Sequence, residues 1–196
     1  MKINTLFLAF FSTSLIISLA LGPAWAQSPA QSFEVAPNQA KGLSFTITPP
    51  ENYEGSDTQA QEYIKVFSLE SESGDNFYFA AIGAIETLPV GLAPESLKTA
   101  DGKWNEGKLK ELWDTLTAKI EGKIVLTQSS QGPHPTAKQT SLTSNEGISQ
   151  YLETQWYVVN DKLIKLECGY NSFETETESP EPMEDCAKFF DSLKIK

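Results

Sequence analysis

Two consecutive stretches near the C-terminus leave this chain little conformational freedom: Tyr151-Leu-Glu-Thr-Gln-Trp-Tyr-Val-Val159 and Leu163-Ile-Lys-Leu-Glu-Cys-Gly-Tyr170. Both are rich in β-branched and aromatic residues, and Asn160-Asp161-Lys162 between them has the composition of a hairpin turn, so the two strands pair antiparallel. Alternation of side chains puts Ile164, Leu166, Cys168 and Tyr170 on one face, and Leu163, Lys165 and Glu167 on the other. From Pro182 to Leu193, the residues Met183, Cys186, Ala187, Phe190 and Leu193 recur at three- and four-residue steps, which is a helix with one apolar stripe. Packed on the Ile164/Leu166/Cys168 face, that helix brings Cys168 and Cys186 together.

Redox compartment decides whether the two thiols bond. Lys2, the apolar run from Leu6 to Leu21, and Ala24-Trp25-Ala26 before Gln27 read as a secretory signal over 1–26, cleaved after Ala26. Export to an oxidising compartment favours a Cys168–Cys186 disulfide, with two free buried thiols as the alternative. No cysteine follows the cleavage site for lipid attachment, and no stable membrane insertion is expected once the signal is removed.

Charge narrows the partners. The chain has 15 basic and 26 acidic residues, a net charge of −11, and every basic residue is a lysine. Without arginine there is no planar fork for phosphate, and an acidic surface repels a polyanion, so nucleic acid is not expected as a partner. A protein, and a basic one in particular, is.

The rest of the chain supplies more strands and a second helix. Gln27 to Asn38 is small and polar, so residues 27–41 read as a flexible leader with room for one short strand at Phe33-Glu-Val35. Leu43, Phe45 and Ile47 alternate with polar residues up to Pro49-Pro50, then Glu51 to Gln61 is a polar loop and Glu62 to Ser71 a strand. Phe77 to Thr87 is apolar on both faces and reads as a covered, central strand. Gly102 and Gly107 divide the helical region after Pro94 into a short helix and a longer one, on which Leu109, Leu112, Trp113, Leu116 and Ile120 form a stripe. Lys123 to Thr127 is a strand, and the weakly patterned Thr136 to Thr143 reads as an edge strand. The order implies an α+β fold in one domain over 42–196, with an antiparallel sheet flanked by helices as an α/β/α sandwich.

Motifs for chemistry are sparse. His134, the only histidine, stands between Pro133 and Pro135, where a turn residue is expected, and no nucleophile is tied to it in sequence. No nucleophile elbow, phosphate loop or dinucleotide fingerprint occurs, so the chain reads as a non-enzyme, with a small hydrolase using His134 as the rival. The segment carrying Glu174, Glu176, Glu178, Glu181, Glu184 and Asp185 is the candidate for binding a basic partner or a hard cation, calcium or manganese. It lacks the glycine and spacing of a calcium loop, so no cofactor is expected. Glu181, Glu184 and Asp185 have a plainer role at the positive end of a helix dipole. Trp104, Trp113, Trp156 and Phe77-Tyr78-Phe79 read as core, with a ligand cavity as the alternative.

Four segments together resemble the PsbP and DcrB superfamily of exported proteins: Gly42-Leu-Ser-Phe45-Thr-Ile47-Thr-Pro-Pro50, the helix from Leu109 to Ile120, the hairpin from Gln155-Trp156-Tyr157 to Leu166, and Ala187-Lys-Phe-Phe-Asp-Ser192-Leu-Lys-Ile195. The resemblance implies a PsbP-like sheet sandwiched by helices and a non-catalytic binding or accessory role, in a periplasm, outside the cell or in a thylakoid lumen. A photosystem-type, cation-binding subunit is the alternative. Tyr53 stands where the usual opening has a Trp after the Pro, and the cysteine pair and acidic segment are additions. No functional residue transfers.

Overall fold

The computed structural model describes residues 31–56, 61–71, 74–118, 123–129, 133–145, 147–172 and 183–196, with 123–129 and 145 in backbone only. Strands β3 (Glu54–Ser56), β4 (Tyr63–Glu70), β5 (Asn76–Gly83), β7 (Lys123–Ser129), β8 (Thr136–Asn145), β9 (Ile148–Val159) and β10 (Lys162–Ser172) form one antiparallel sheet in the order β3-β4-β5-β10-β9-β8-β7, with β6 (Glu86–Thr87) paired beside β10. Strands β1 (Phe33–Val35), β2 (Phe45–Ile47) and β11 (Lys194–Ile195) form a second, three-stranded sheet. Helices α1 (Glu106–Thr117) and α2 (Glu184–Asp191) complete the fold.

The β9–β10 hairpin forms as its residues dictate, closed by Asn160 and Asp161 with Asn160 at φ 57°. The Ile164/Leu166/Cys168 face packs with Phe67, Ala80 and Ile82 under Val35, Phe45 and Ile47 of the small sheet and Cys186, Phe189 and Phe190 of α2. The opposite face places Val158, Trp156, Leu163 and Ala137 under Leu109, Leu112 and Trp113 of α1 and Leu92 and Leu97 of the segment before it. Asn105 caps α1, its side chain accepting from the Lys108 N–H at 3.1 Å.

An α/β/α sandwich is not what forms. Among the described residues strands predominate and the two helices are short. The cover on one face is a second sheet with the eight-residue α2, and on the other the twelve-residue α1 with an irregular run over 88–105. Over 94–97 that run forms turns in place of the expected short helix. Strands Phe33–Val35 and Phe45–Ile47 form where the sequence has them, but their pairing with the two-residue Lys194–Ile195 into a separate sheet is not readable, and Val35 and Ala40 are wholly buried where a loose leader is expected. The polar loop over 51–61 contributes β3. Nor is β8 an edge. It lies between β7 and β9, and its pattern is weak because Gln139 and Ser141 occupy buried positions.

Cys168 and Cys186, both fully buried, are disulfide-bonded with Cα atoms 5.4 Å apart, which joins the central strand to α2 across 18 residues. Met183 at the start of α2 has no capping side chain of its own. The buried Glu153 of β9 substitutes: its Oε1 accepts from the Met183 N–H at 3.2 Å and from the Tyr151 hydroxyl at 2.6 Å, while Oε2 pairs with Lys138. At the other end, the Ser192 hydroxyl accepts from the Thr48 N–H and donates to the Phe189 carbonyl, tying α2 to the small sheet.

Three predictions follow from this packing. Replacing both cysteines by alanine removes a loop constraint worth about 3 kcal/mol; urea unfolding measures it, and unchanged midpoints would contradict the assignment. Glu153→Ala strands Lys138, the Tyr151 hydroxyl and the Met183 N–H together, a loss of about 2 kcal/mol in the same assay, with wild-type stability the contrary result. Burial above all raises the hydroxyl pKa of Tyr53, Tyr63, Tyr151 and Tyr157 well above the ordinary value of 10.0. Because the folded values exceed the unfolded ones, the stability these groups contribute is complete below about pH 10 and is lost as pH rises through the folded values. Phenolate absorbance therefore appears late, together with unfolding, whereas full ionisation near pH 10 in the folded state would refute the burial.

Candidate binding site

On the α1 side of the sheet the strand pairing lines up polar side chains. Gln139 pairs with Thr154 and Thr154 with Glu167, a transverse row across β8, β9 and β10. All three are buried, although most of what surrounds Trp156, Val158 and Leu163 on the same face is apolar. Next to this row, between the last turn of α1 and the sheet, lies a cleft of about 470 Å³, within the range of ligand sites. Thr154, Lys165 and Glu167 supply its polar floor. Leu152, Trp156 and Leu163 supply apolar surface, Ala84, Glu86 and Pro89 one wall, and Thr115 and Leu116 of α1 the other.

Lys165 is fixed from three sides. Its Nζ lies 3.2 Å from Glu167 Oε1 and 5.4 Å from the centre of the Tyr63 ring. Its stem crosses Gly83, where an added Cβ would stand 2.8 Å from Lys165 Cε, so only glycine leaves the lysine that path. Burial first, and then the charge of Glu167 and a hydrogen bond with its carboxylate, hold the Tyr63 hydroxyl above its usual pKa. Glu167 is 7% exposed, and its Oε2 has no hydrogen-bond partner among the described residues. Neither has the side-chain amide of Gln139, which is 1% exposed. Unpaired buried polar atoms are uncommon and costly, and of these two residues Glu167 is the one that lines the cleft.

The residues singled out from sequence fall elsewhere. Glu174, Glu176, Glu178 and Glu181 lie outside the described residues. Glu184 and Asp185 are exposed in the first turn of α2, where Glu184 pairs with Lys188 at 2.8 Å and that hydrogen bond lowers its pKa. No group of three or more metal-ligating side chains occurs among the described residues. His134 is half-buried in the bend before β8 and does not line the cleft. Trp156 belongs both to the core and to the cleft wall, so the two readings of the tryptophans meet in one residue. The cleft residues Lys165, Glu167 and Thr154 were assigned no role in the sequence. Their signal was the alternation that puts Lys165 and Glu167 opposite Cys168, on a strand covered on both faces.

No family model matches this chain. No curated protein sequence matches it either. Among solved structures, the crystal structure of LpqN, involved in cell envelope biogenesis of Mycobacterium tuberculosis, is similar with a TM-score of 0.51 and 10% identity, covering 84% of this chain and 90% of that one. A crystal structure from Bacteroides thetaiotaomicron VPI-5482 is similar at a TM-score of 0.42 and 10% identity, covering 85% of this chain and 48% of that one. The likeness to LpqN is one of fold. No helix among the described residues is long and apolar enough to cross a membrane, and a disulfide such as Cys168–Cys186 is of the kind that persists in oxidising compartments.

Proposed function

We propose that this chain is an exported, non-catalytic binding protein of PsbP/DcrB-like type, an accessory factor that acts by contacting another protein in a periplasm, in a thylakoid lumen or outside the cell. The cleft beside α1 carries this reading. Its apolar walls, ionic floor and unpaired acceptor are the features of a recognition site. Threonine, lysine and glutamate there hold and orient, and the lone histidine stands apart. The fold shared with LpqN, a protein described as involved in cell envelope biogenesis, supports an accessory role at the same level of generality.

Charge supports a basic partner. The acidic residues Glu174, Glu176, Glu178 and Glu181 stand in sequence between Ser172, at the end of β10, and Met183, held by Glu153. Fixed ends lower the ordering cost of binding, and charges of this kind act mainly on association rate. Thr115 is exposed on α1 and lines the cleft, so Thr115→Trp fills the cleft without touching the core. Recovery of the partner from the exported fraction is expected to be lost with Thr115→Trp, and with Glu174, Glu176 and Glu178 all changed to Gln it falls to the level that raised salt produces in the wild type. Equal recovery by all three proteins at low and high salt would overturn the proposal.

A further inference from the structure

We infer that the sheet left bare beyond the last turn of α1 docks a basic amphipathic helix of a partner protein, an inference that rests on the reading of this chain as a protein-contact factor. Strand pairing places the surface. Phe79 stands in register with Gly169 and Leu152 across β5, β10 and β9, and Phe77 with Asn171 and Gln150. By alternation these residues share the face of Trp156, which α1 covers with Leu109, Leu112 and Trp113. Past the helix the apolar side chains come into the open. Phe77 is 39% exposed and Ile148, two residues before Gln150, is 42% exposed, while Phe79 and Leu152 are half-buried on either side of Gly169. Two of the three large hydrophobic side chains that the described residues expose therefore lie on one face, as a patch rather than as scattered residues. Leu152 also lines the cleft, so patch and cleft are continuous. The rim is acidic. Glu70 stands opposite Phe77, and Glu54 opposite Ser68, the strand neighbour of Phe79, and both carboxylates are exposed. Lys165 is the one lysine in register with this face along the described strands, and Glu167 engages it at 3.2 Å. A second copy would set acidic rim against acidic rim, and an anionic lipid surface would meet the same repulsion. A basic segment meets the rim with the opposite charge. Its form follows from α1, the cover that this same face already accepts: a helix with an apolar stripe over Phe77, Phe79 and Leu152, and lysine or arginine beside the stripe toward Glu54 and Glu70, completes the layer.

The test follows the backbone amide resonances of the exported chain through titrations with three synthetic helical peptides of about four turns. One carries a leucine stripe flanked by lysines, its twin has glutamate for every lysine, and the third is the first composition shuffled so that no stripe forms. The basic striped peptide is expected to shift the amides of Phe77, Phe79 and Leu152 and to saturate, with the other two at least about tenfold weaker. Phe77→Ser with Ile148→Ser weakens it about tenfold, and Glu54→Gln with Glu70→Gln about threefold at low salt. Val90→Ser, at the third exposed hydrophobic, in the turn after β6, changes nothing. The shuffled peptide binding as well as the striped one, saturable shifts that leave Phe77 and Leu152 unmoved, or a double serine variant that binds like wild type would overturn the inference. So would binding to phosphatidylcholine vesicles, or a dimer in sedimentation, that the double serine variant loses, since the occupant is then a membrane or a second copy. Should that variant not fold, the order of the three peptides and the shift map on the wild type decide alone. If no peptide binds while Thr115→Trp still abolishes partner recovery, the sheet-face assignment falls and the contact at the cleft stands. If the striped peptide binds at Phe77 while Thr115→Trp recovers the partner normally, the contact at the cleft falls and the sheet face stands.

Discussion

The pairing of β9 with β10 is the interaction on which the rest of this structure depends. Eleven residue pairs, from Lys162 opposite Val159 to Ser172 opposite Ser149, fix one register. Because side chains alternate, that register decides at once which residues meet each covering layer, and a slip of one residue would exchange the two faces. It would turn Cys168 away from α2 and Glu167 away from the cleft. Gly169 shows how closely the strands meet, since an added Cβ there would lie 2.1 Å from the Tyr151 carbonyl oxygen.

The two faces then serve different ends. The Cys168 face is closed by a covalent bond, by the small sheet and by Glu153 capping α2, so its polar groups are engaged within the fold. The opposite face is covered by α1 over Trp156, Val158 and Leu163, and beyond the last turn of that helix the floor becomes polar. Glu167 on that floor, and Gln139 farther along the same face, keep atoms with no partner among the described residues, at a cost to stability that an apolar pair would avoid. Departures from local consistency of this kind mark sites of function more often than sites of packing.

How much of this was legible in the sequence depended on length and periodicity. The hairpin, α1, α2 and with them the disulfide partners were readable from their periodicity, and β5 from a run apolar on both faces. The stripe expected on α2 was slightly misplaced: Phe189 is buried and Ala187 exposed. The second sheet was legible only in part: Phe45–Ile47 shows its alternation, but Lys194–Ile195 carries too few residues to show a period, and the pairing of the two owes its form to packing. The cleft was half legible. Lys165 and Glu167 were placed on the right face, but their burial comes from neighbours distant in sequence, Tyr63, Gly83 and Thr115 among them. The acidic segment drew attention by density of charge, and charge density in a sequence does not distinguish a solvated run from a contact surface.

A photo-crosslinking residue placed in turn at Glu86, on the cleft wall, and at Lys194, exposed on β11 across the molecule, tests the central claim directly in cells that export this chain. The account predicts a discrete higher-mass adduct from position 86, abolished when Thr115→Trp is introduced, and none from position 194. Adducts of the same mass and yield from both positions, or an adduct from position 86 indifferent to Thr115→Trp, would contradict the claim that the cleft beside α1 is where this protein meets its partner.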